Sequence, residues 1–223
     1  MPYTNIVDAS LIVCQTNIMQ AKKFNTLMSN AFAVPEKSVT VYTRMLKEAG
    51  LLTSGKGGRA APHMTPLDAA RVTIALLASD APSQAVERVK RFGSIPYSPE
   101  FEKTWPWYEN IGQDRFSAIF EGDTLEDVLA FMFGRVEALG IKGASTWFDE
   151  NDFHLRINDF NILAELVSWK TVDGKPVGEI VAPFQGDPMD PNQNKITGHI
   201  RTTREATTLK FFVIGVELAE GNI

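Results

Sequence analysis

Residues 34–79 read VPEKSVTVYTRMLKEAGLLTSGKGGRAAPHMTPLDAARVTIALLAS, and the fold turns on how this stretch is parsed. Pro35 lacks an N–H and has a fixed φ, which suits the first position of a helix over 35–49. Gly50 stands where a helix end favours a left-handed residue. Leu51 and Leu52 lead into Ser54-Gly55-Lys56-Gly57-Gly58-Arg59, a flexible basic tip. Thr65-Pro66-Leu67-Asp68 then opens a helix over 66–78, with Thr65 as N-cap, Pro66 at the first position and Asp68 closing a capping box. The parse is helix, glycine-rich hairpin, helix.

The first of these helices divides cleanly by face. Val39, Tyr42, Leu46 and Ala49, with Met45 beside them, form an apolar row that must pack on a neighbour. Lys37, Thr40, Arg44 and Lys47 recur at i, i+3, i+7 and i+10 on the opposite side, a polar and mostly cationic row. Lys56 and Arg59 add two cations at the tip. The tip is not a phosphate loop, because Gly57 occupies the place after Lys56 where a Walker loop needs Ser or Thr. A dinucleotide G-x-G-x-x-G is also absent.

Working outward, residues 4–19 are apolar enough for a strand or a short helix. Over 20–32, Phe24, Leu27, Met28, Ala31 and Phe32 recur at three and four, predicting an amphipathic helix. Its polar side carries Lys22, Lys23, Asn25, Ser29 and Asn30. Downstream, Val72, Ile74, Ala75, Leu76 and Leu77 make 66–78 a core helix. Asp80-Ala81-Pro82-Ser83 restarts the chain into one more helix, with Ala85, Val86, Val89 and Phe92 inward and Glu87, Arg88, Lys90 and Arg91 exposed.

Residues 92–110, FGSIPYSPEFEKTWPWYEN, hold Pro96, Pro99 and Pro106 among aromatics and cannot form one regular helix. Tyr97, Phe101, Trp105, Trp107 and Tyr108 are expected to pin this segment to a surface through aromatic burial. Beyond it, Asp123-Thr124-Leu125-Glu126-Asp127 caps a helix with Leu125, Val128, Leu129, Met132, Val136 and Leu139 on its core face, ended by Gly140. Strands are expected at 154–157, 162–170, 178–182, 195–203 and 208–218, with Asp173-Gly174 turning a hairpin. The expected class is α+β: residues 1–95 as a helical domain, 96–110 as a linker, and 111–223 as a mostly antiparallel sheet with one or two helices.

Composition is that of a globular protein, 44% hydrophobic and 22% charged. The net charge of −5 is unevenly spread. Residues 1–95 carry eleven Lys and Arg against six Asp and Glu, and residues 96–223 carry eleven against twenty-one. A basic part joined to an acidic part suggests a polyanion-binding module with an appended domain. A single cysteine, Cys14, excludes an internal disulfide framework and fits a reducing cytoplasm. No apolar run is long enough to span a membrane, and no basic segment precedes the short apolar stretch near the N-terminus, so a secretory signal is not expected.

No catalytic or metal-binding constellation is legible. His63, His154 and His199 share no helical ligand spacing, and Asp149-Glu150-Asp152 matches no calcium loop. Asp187 and Asp190 lie in a proline-rich loop. Cys14 sits in an apolar segment that keeps a thiol inert. The expectation is a non-enzymatic chain without metal or cofactor.

The order helix, helix, hairpin, helix resembles a winged helix-turn-helix, although no strand is evident before the hairpin. The run from Met45 to Ser79 is similar to the DNA-binding region of uncharacterised phage and prophage proteins. The resemblance covers about a third of the chain. It implies a sequence-specific duplex-DNA-binding regulator, transcriptional and of phage type, acting as a homodimer. Lys37, Thr40 and Arg44 would then face the major groove, and Lys47, Lys56 and Arg59 the phosphates, with Lys22 and Lys23 adding to them. The 111–223 domain would dimerise or hold a partner. The alternative expectation is a protein-interaction factor that turns the same winged fold toward a host or viral protein.

Overall fold

The computed structural model describes residues 19–55, 62–98, 123–158, 163–172, 175–186 and 203–221. Among these lie seven α-helices and a four-stranded sheet, an α+β protein. The helices are α1 (Ala21–Phe32), α2 (Glu36–Glu48), α3 (Pro66–Ala78), α4 (Ala85–Gly93), α5 (Leu125–Phe133), α6 (Arg135–Glu150) and α7 (Thr208–Glu220). The strands are β1 (His154–Asn158), β2 (Leu163–Val172), β3 (Lys175–Gln185) and β4 (Thr203–Thr207). Expectations about residues 4–18, Lys56, Arg59, Phe101, Trp105, Trp107, Tyr108, Asp187, Asp190 and His199, and about a strand over 195–202, lie outside the described residues.

Local chemistry sets the helix ends. Pro35 is the N-cap of α2, one place earlier than expected. Gly50 sits at φ 71°. Its N–H donates to Lys47 O (3.0 Å) and that of Leu51 to Leu46 O (2.9 Å), the two bonds of a Schellman motif. At α3 the Thr65–Asp68 capping box forms as expected. The Asp68 carboxylate is buried and does more than cap. It accepts from Thr65 N (2.7 Å), Thr65 Oγ1 (2.9 Å) and Thr53 N (2.7 Å), fastening the end of the 51–53 segment to the start of α3. Residues 51–55 and 62–65 on either side of the basic tip carry no strand.

α3 is the central pillar, packed against α2, α4, α5, α7, β1 and β4. Its alanines Ala69, Ala70, Ala75 and Ala78 are buried and let these neighbours approach closely. A second capping box, Thr124 with Asp127, starts α5 beside it. Arg71 on α3 donates from Nε and Nη2 to the Glu126 carboxylate (2.9 and 3.1 Å) and from Nη1 to Leu51 O (2.8 Å). One apolar cluster therefore takes residues from both sides of the 96–110 segment, from Met19 and Phe24 through Ile74 to Phe211 and Leu218.

The sheet has the order β3-β2-β1-β4, antiparallel throughout. Leu155 and Ile157 face the core with Ala164 and Leu166 on β2, Ala182 and Phe184 on β3, and Ala206 on β4. Alternation puts His154, Arg156, Glu165 and Glu205 on the other face. There Arg156 is paired in register with Glu165 and Glu205, and its Nε donates to Glu205 at 2.8 Å. Val172 pairs with Lys175, so β2 and β3 are joined through Asp173-Gly174. Tyr97 is buried edge-on against Phe184, with ring centroids 5.8 Å apart.

Four expectations are corrected. Residues 208–218 form α7, not a strand: Phe211, Ile214, Gly215 and Leu218 are buried at a period of three and four. A Cβ at Gly215 would lie 2.9 Å from Phe133 O, so only glycine admits this close crossing. The helix expected to run from Leu125 to Leu139 breaks after Phe133; Gly140 (φ 69°, ψ 167°) is non-helical and ends the turn before it as expected, and a second helical stretch of α6 follows it to Glu150. The break turns Leu139 outward, 45% exposed. Asn25 and Arg88, read as surface residues, are buried because α2 covers the first and the helices packed around α4 the second. Residues 111–223 accordingly supply three of the described helices rather than one or two. No described helix is long and apolar enough to cross a membrane.

Candidate nucleic-acid interface

α1 and α2 are joined by Ala33, Val34 and Pro35 alone. Two consecutive helices on a three-residue turn are a feature shared by αα-hairpins and helix-turn-helix units. The turn closes through a left-handed residue. Ala33 sits at φ 52°, Val34 N donates to Ser29 O (3.1 Å), and Ser29 Oγ donates to Val34 O (2.7 Å). A non-glycine residue in that region costs roughly 1 kcal/mol, and the paired bonds of Ser29 and Val34 hold it there.

The inner side of α2 fixes its rotation. Val39, Tyr42, Thr43 and Leu46 are buried, and the Tyr42 hydroxyl reaches toward Ser79 O at 3.5 Å. Burial pushes the Tyr42 phenol above its ordinary 10.0; nearby Arg204 pulls it down and Asp80 pushes it up. Arg204, arriving from β4, donates to Leu77 O (2.9 Å) and Ser79 O (3.1 Å) and also pairs with Asp80. Asn25 on α1 donates from Nδ2 to Thr40 Oγ1 at 3.3 Å, tying the two helices together from the opposite side.

With that rotation set, Lys37, Thr40 and Arg44 are exposed and Lys47 is half-buried at the edge of the same stripe. Ten residues of helix separate Lys37 from Lys47, a rise of about 15 Å. The stripe is not purely cationic. Glu36 and Glu48 share the exposed surface of α2, and Glu48 lies 3.8 Å from Arg44 with both side chains about two-thirds exposed. Such a pair is loosely held and open to exchange. Lys22 lies one turn before Asn25, toward α2, whereas Lys23 is 3.9 Å from Glu217 on α7 and leaves the stripe.

The structure thus brings together four of the six residues expected to bind, and Lys56 and Arg59 lie outside the described residues. Sequence reasoning placed Tyr42 on the packing row but missed the supporting residues Asn25 and Arg204. Asn25 left only a weak signal, an amide set between Phe24 and Met28 of the packing row. Arg204 left none, since its partners are more than a hundred residues away. Elsewhere, His154 Nδ1 lies 3.9 Å from Glu205, and His63 Nδ1 accepts from Met19 N at 3.1 Å. No group of three metal-ligating side chains occurs among the described residues. In comparisons with known proteins, no family model, no curated protein and no solved structure matches the chain.

Proposed function

We propose that the protein is a duplex-DNA-binding regulator, transcriptional and of phage type, that reads its site with α2. The observation that carries this reading is the three-residue turn between α1 and α2 together with the outer face of α2, on which Lys37, Thr40 and Arg44 are exposed and Lys47 lies half-buried at the edge. Arg44 supplies a fork that matches guanine O6 and N7, and Thr40 a methyl that suits thymine. Lys37 faces the major groove beside them, and Lys47, with Lys56 and Arg59, contacts phosphates and sets the register. One helix covers little DNA, so a homodimer on a two-fold site fits the scale of specific binding. The acidic remainder of the chain limits non-specific adhesion.

Retention of the full chain on random and selected duplexes, over a salt series, tests the proposal. Binding should weaken as salt rises. Lys47→Ala should weaken all sequences alike and lower the salt slope by about one. Arg44→Ala should instead relax preference at one base position by roughly 1–3 kcal/mol. No retention at low salt sinks the proposal. The second reading, a protein-interaction factor using the same surface, draws on Glu36 and Glu48, which bring the exposed face of α2 close to neutrality. It predicts no retention on DNA and loss of partner capture when Arg44 and Glu48 are exchanged for each other.

A further inference from the structure

We propose a second site, independent of α2, that binds a small organic cation: a primary ammonium on an apolar stem. A cavity of about 310 Å³ opens where the end of α6 meets the start of α7, lined by Ser145, Phe148, Asp149, Asp152, Thr208, Leu209 and Phe212. This is the scale of a small-ligand pocket, which pairs apolar walls with a few polar groups. Phe148 and Phe212 form one wall, edge to face with centroids 5.9 Å apart. Leu209 forms the rim and is 67% exposed, far more than a leucine set among aromatics needs to be. Burial of an apolar stem would cover it.

The sign of the ligand's charge follows from the helix ends. Asp149 and Glu150 lie in the last turn of α6, where the carbonyl end of the helix already carries partial negative charge, and no basic residue sits there. The positive start of α7 does not cancel this. It is already answered by Asp152, whose Oδ1 lies 2.8 Å from Thr208 Oγ1. Neither Asp149 nor Asp152 has an ion-pair partner among the described residues. The cavity therefore offers carboxylates at its mouth and apolar phenyl walls inside, a set that attracts a cation by charge and holds an apolar stem by burial.

Titration of the full chain with benzylammonium, followed by amide NMR shifts, tests this, with benzyl alcohol as the neutral probe of the same shape. Benzylammonium should bind saturably, with shifts centred on 145–152 and 208–212, and benzyl alcohol about tenfold more weakly. Asp149→Asn, at an exposed position, should lower the affinity for benzylammonium about threefold without changing the melting temperature. Leu209→Ala should weaken both probes alike. Nα-acetyl-lysine N-methylamide in the same titration separates a protein lysine from a free amine as the source, by whether it binds more tightly than benzylammonium. Equal affinity for the charged and neutral probes, non-saturating shifts, or unchanged binding in Asp149→Asn overturns the site.

Discussion

Helices α2 and α3 are adjacent and equally long at thirteen residues, yet α3 buries nine of them and α2 four. The difference comes from what surrounds each. α3 has neighbours on most sides, so its sequence is mainly alanine and branched aliphatics, with three polar exceptions: Asp68 and Arg71, which act inward or across a seam, and the buried Thr73. α2 is held by its buried row and, at Thr40, by Asn25 of α1, and the face that stays open carries Lys37 and Arg44 with Thr40 at its edge. A helix enclosed on most sides can change little without loss of the fold. A helix anchored by one row can vary its outer residues, and that is where recognition can be placed.

The sharpest test of this contrast is Ile74→Ala against Lys37→Ala. The first removes a fully buried side chain from the pillar and should lower unfolding free energy by about 2–5 kcal/mol in urea titration. The second should stay within about 0.5 kcal/mol. Similar losses at both positions would mean that the outer face of α2 is not open. Next in size is Arg71→Ala, which strands Glu126 and Leu51 O in a seam where both charged side chains are less than a quarter exposed. It should cost about 1–3 kcal/mol, and Arg71→Lys should recover little of it, because an ammonium cannot bridge both carboxylate oxygens and the carbonyl.

A third test concerns the anchored row. The Tyr42 phenol has its folded pKa raised above 10.0, mainly by burial. The unfolded chain therefore ionises first as pH rises. The stability tied to the neutral phenol is complete below pH 10 and is lost progressively above it, at up to about 1.4 kcal/mol per pH unit. Tyr42→Phe should remove this portion of the alkaline loss, measured as the difference in urea midpoint between pH 9 and pH 11. It should cost little at neutral pH, since the hydroxyl sits 3.5 Å from Ser79 O. An alkaline profile identical to that of the parent would place Tyr42 in water. The smallest effect is expected at the turn. Ala33→Gly should relieve a left-handed alanine and raise stability by up to about 1 kcal/mol, leaving the α2 stripe in place.

Local rules carried most of the helical part. The Thr65–Asp68 and Thr124–Asp127 boxes, Gly50, and the apolar rows of α1, α2 and α3 each depend on residues within a turn or two of one another, so they are legible in one dimension. Val172 and Lys175 pair across Asp173-Gly174 for the same reason: a two-residue connection leaves adjacent strands no other register. The segment 208–218 went the other way. Its phenylalanines, valine and isoleucine suit a strand by composition, but the buried positions follow a helical period, and Gly215 is needed because α7 crosses the backbone of Phe133. That crossing exists only in three dimensions.

The same division runs through the two sites. That Lys37, Thr40, Arg44 and Lys47 share a face is a consequence of 3.6 residues per turn and could be read directly from their spacing. That this face looks outward depended on Tyr42 meeting Ser79, on Asn25 meeting Thr40 and on Arg204 arriving from β4 to hold the end of α3. The cavity beside Asp149 was not visible at all, because its walls come from segments about sixty residues apart that meet only when α6 and α7 pack. Periodicity and capping act through neighbouring residues and are written into the chain. Which surfaces are left open is set by contacts between distant segments, and only the packed molecule decides it.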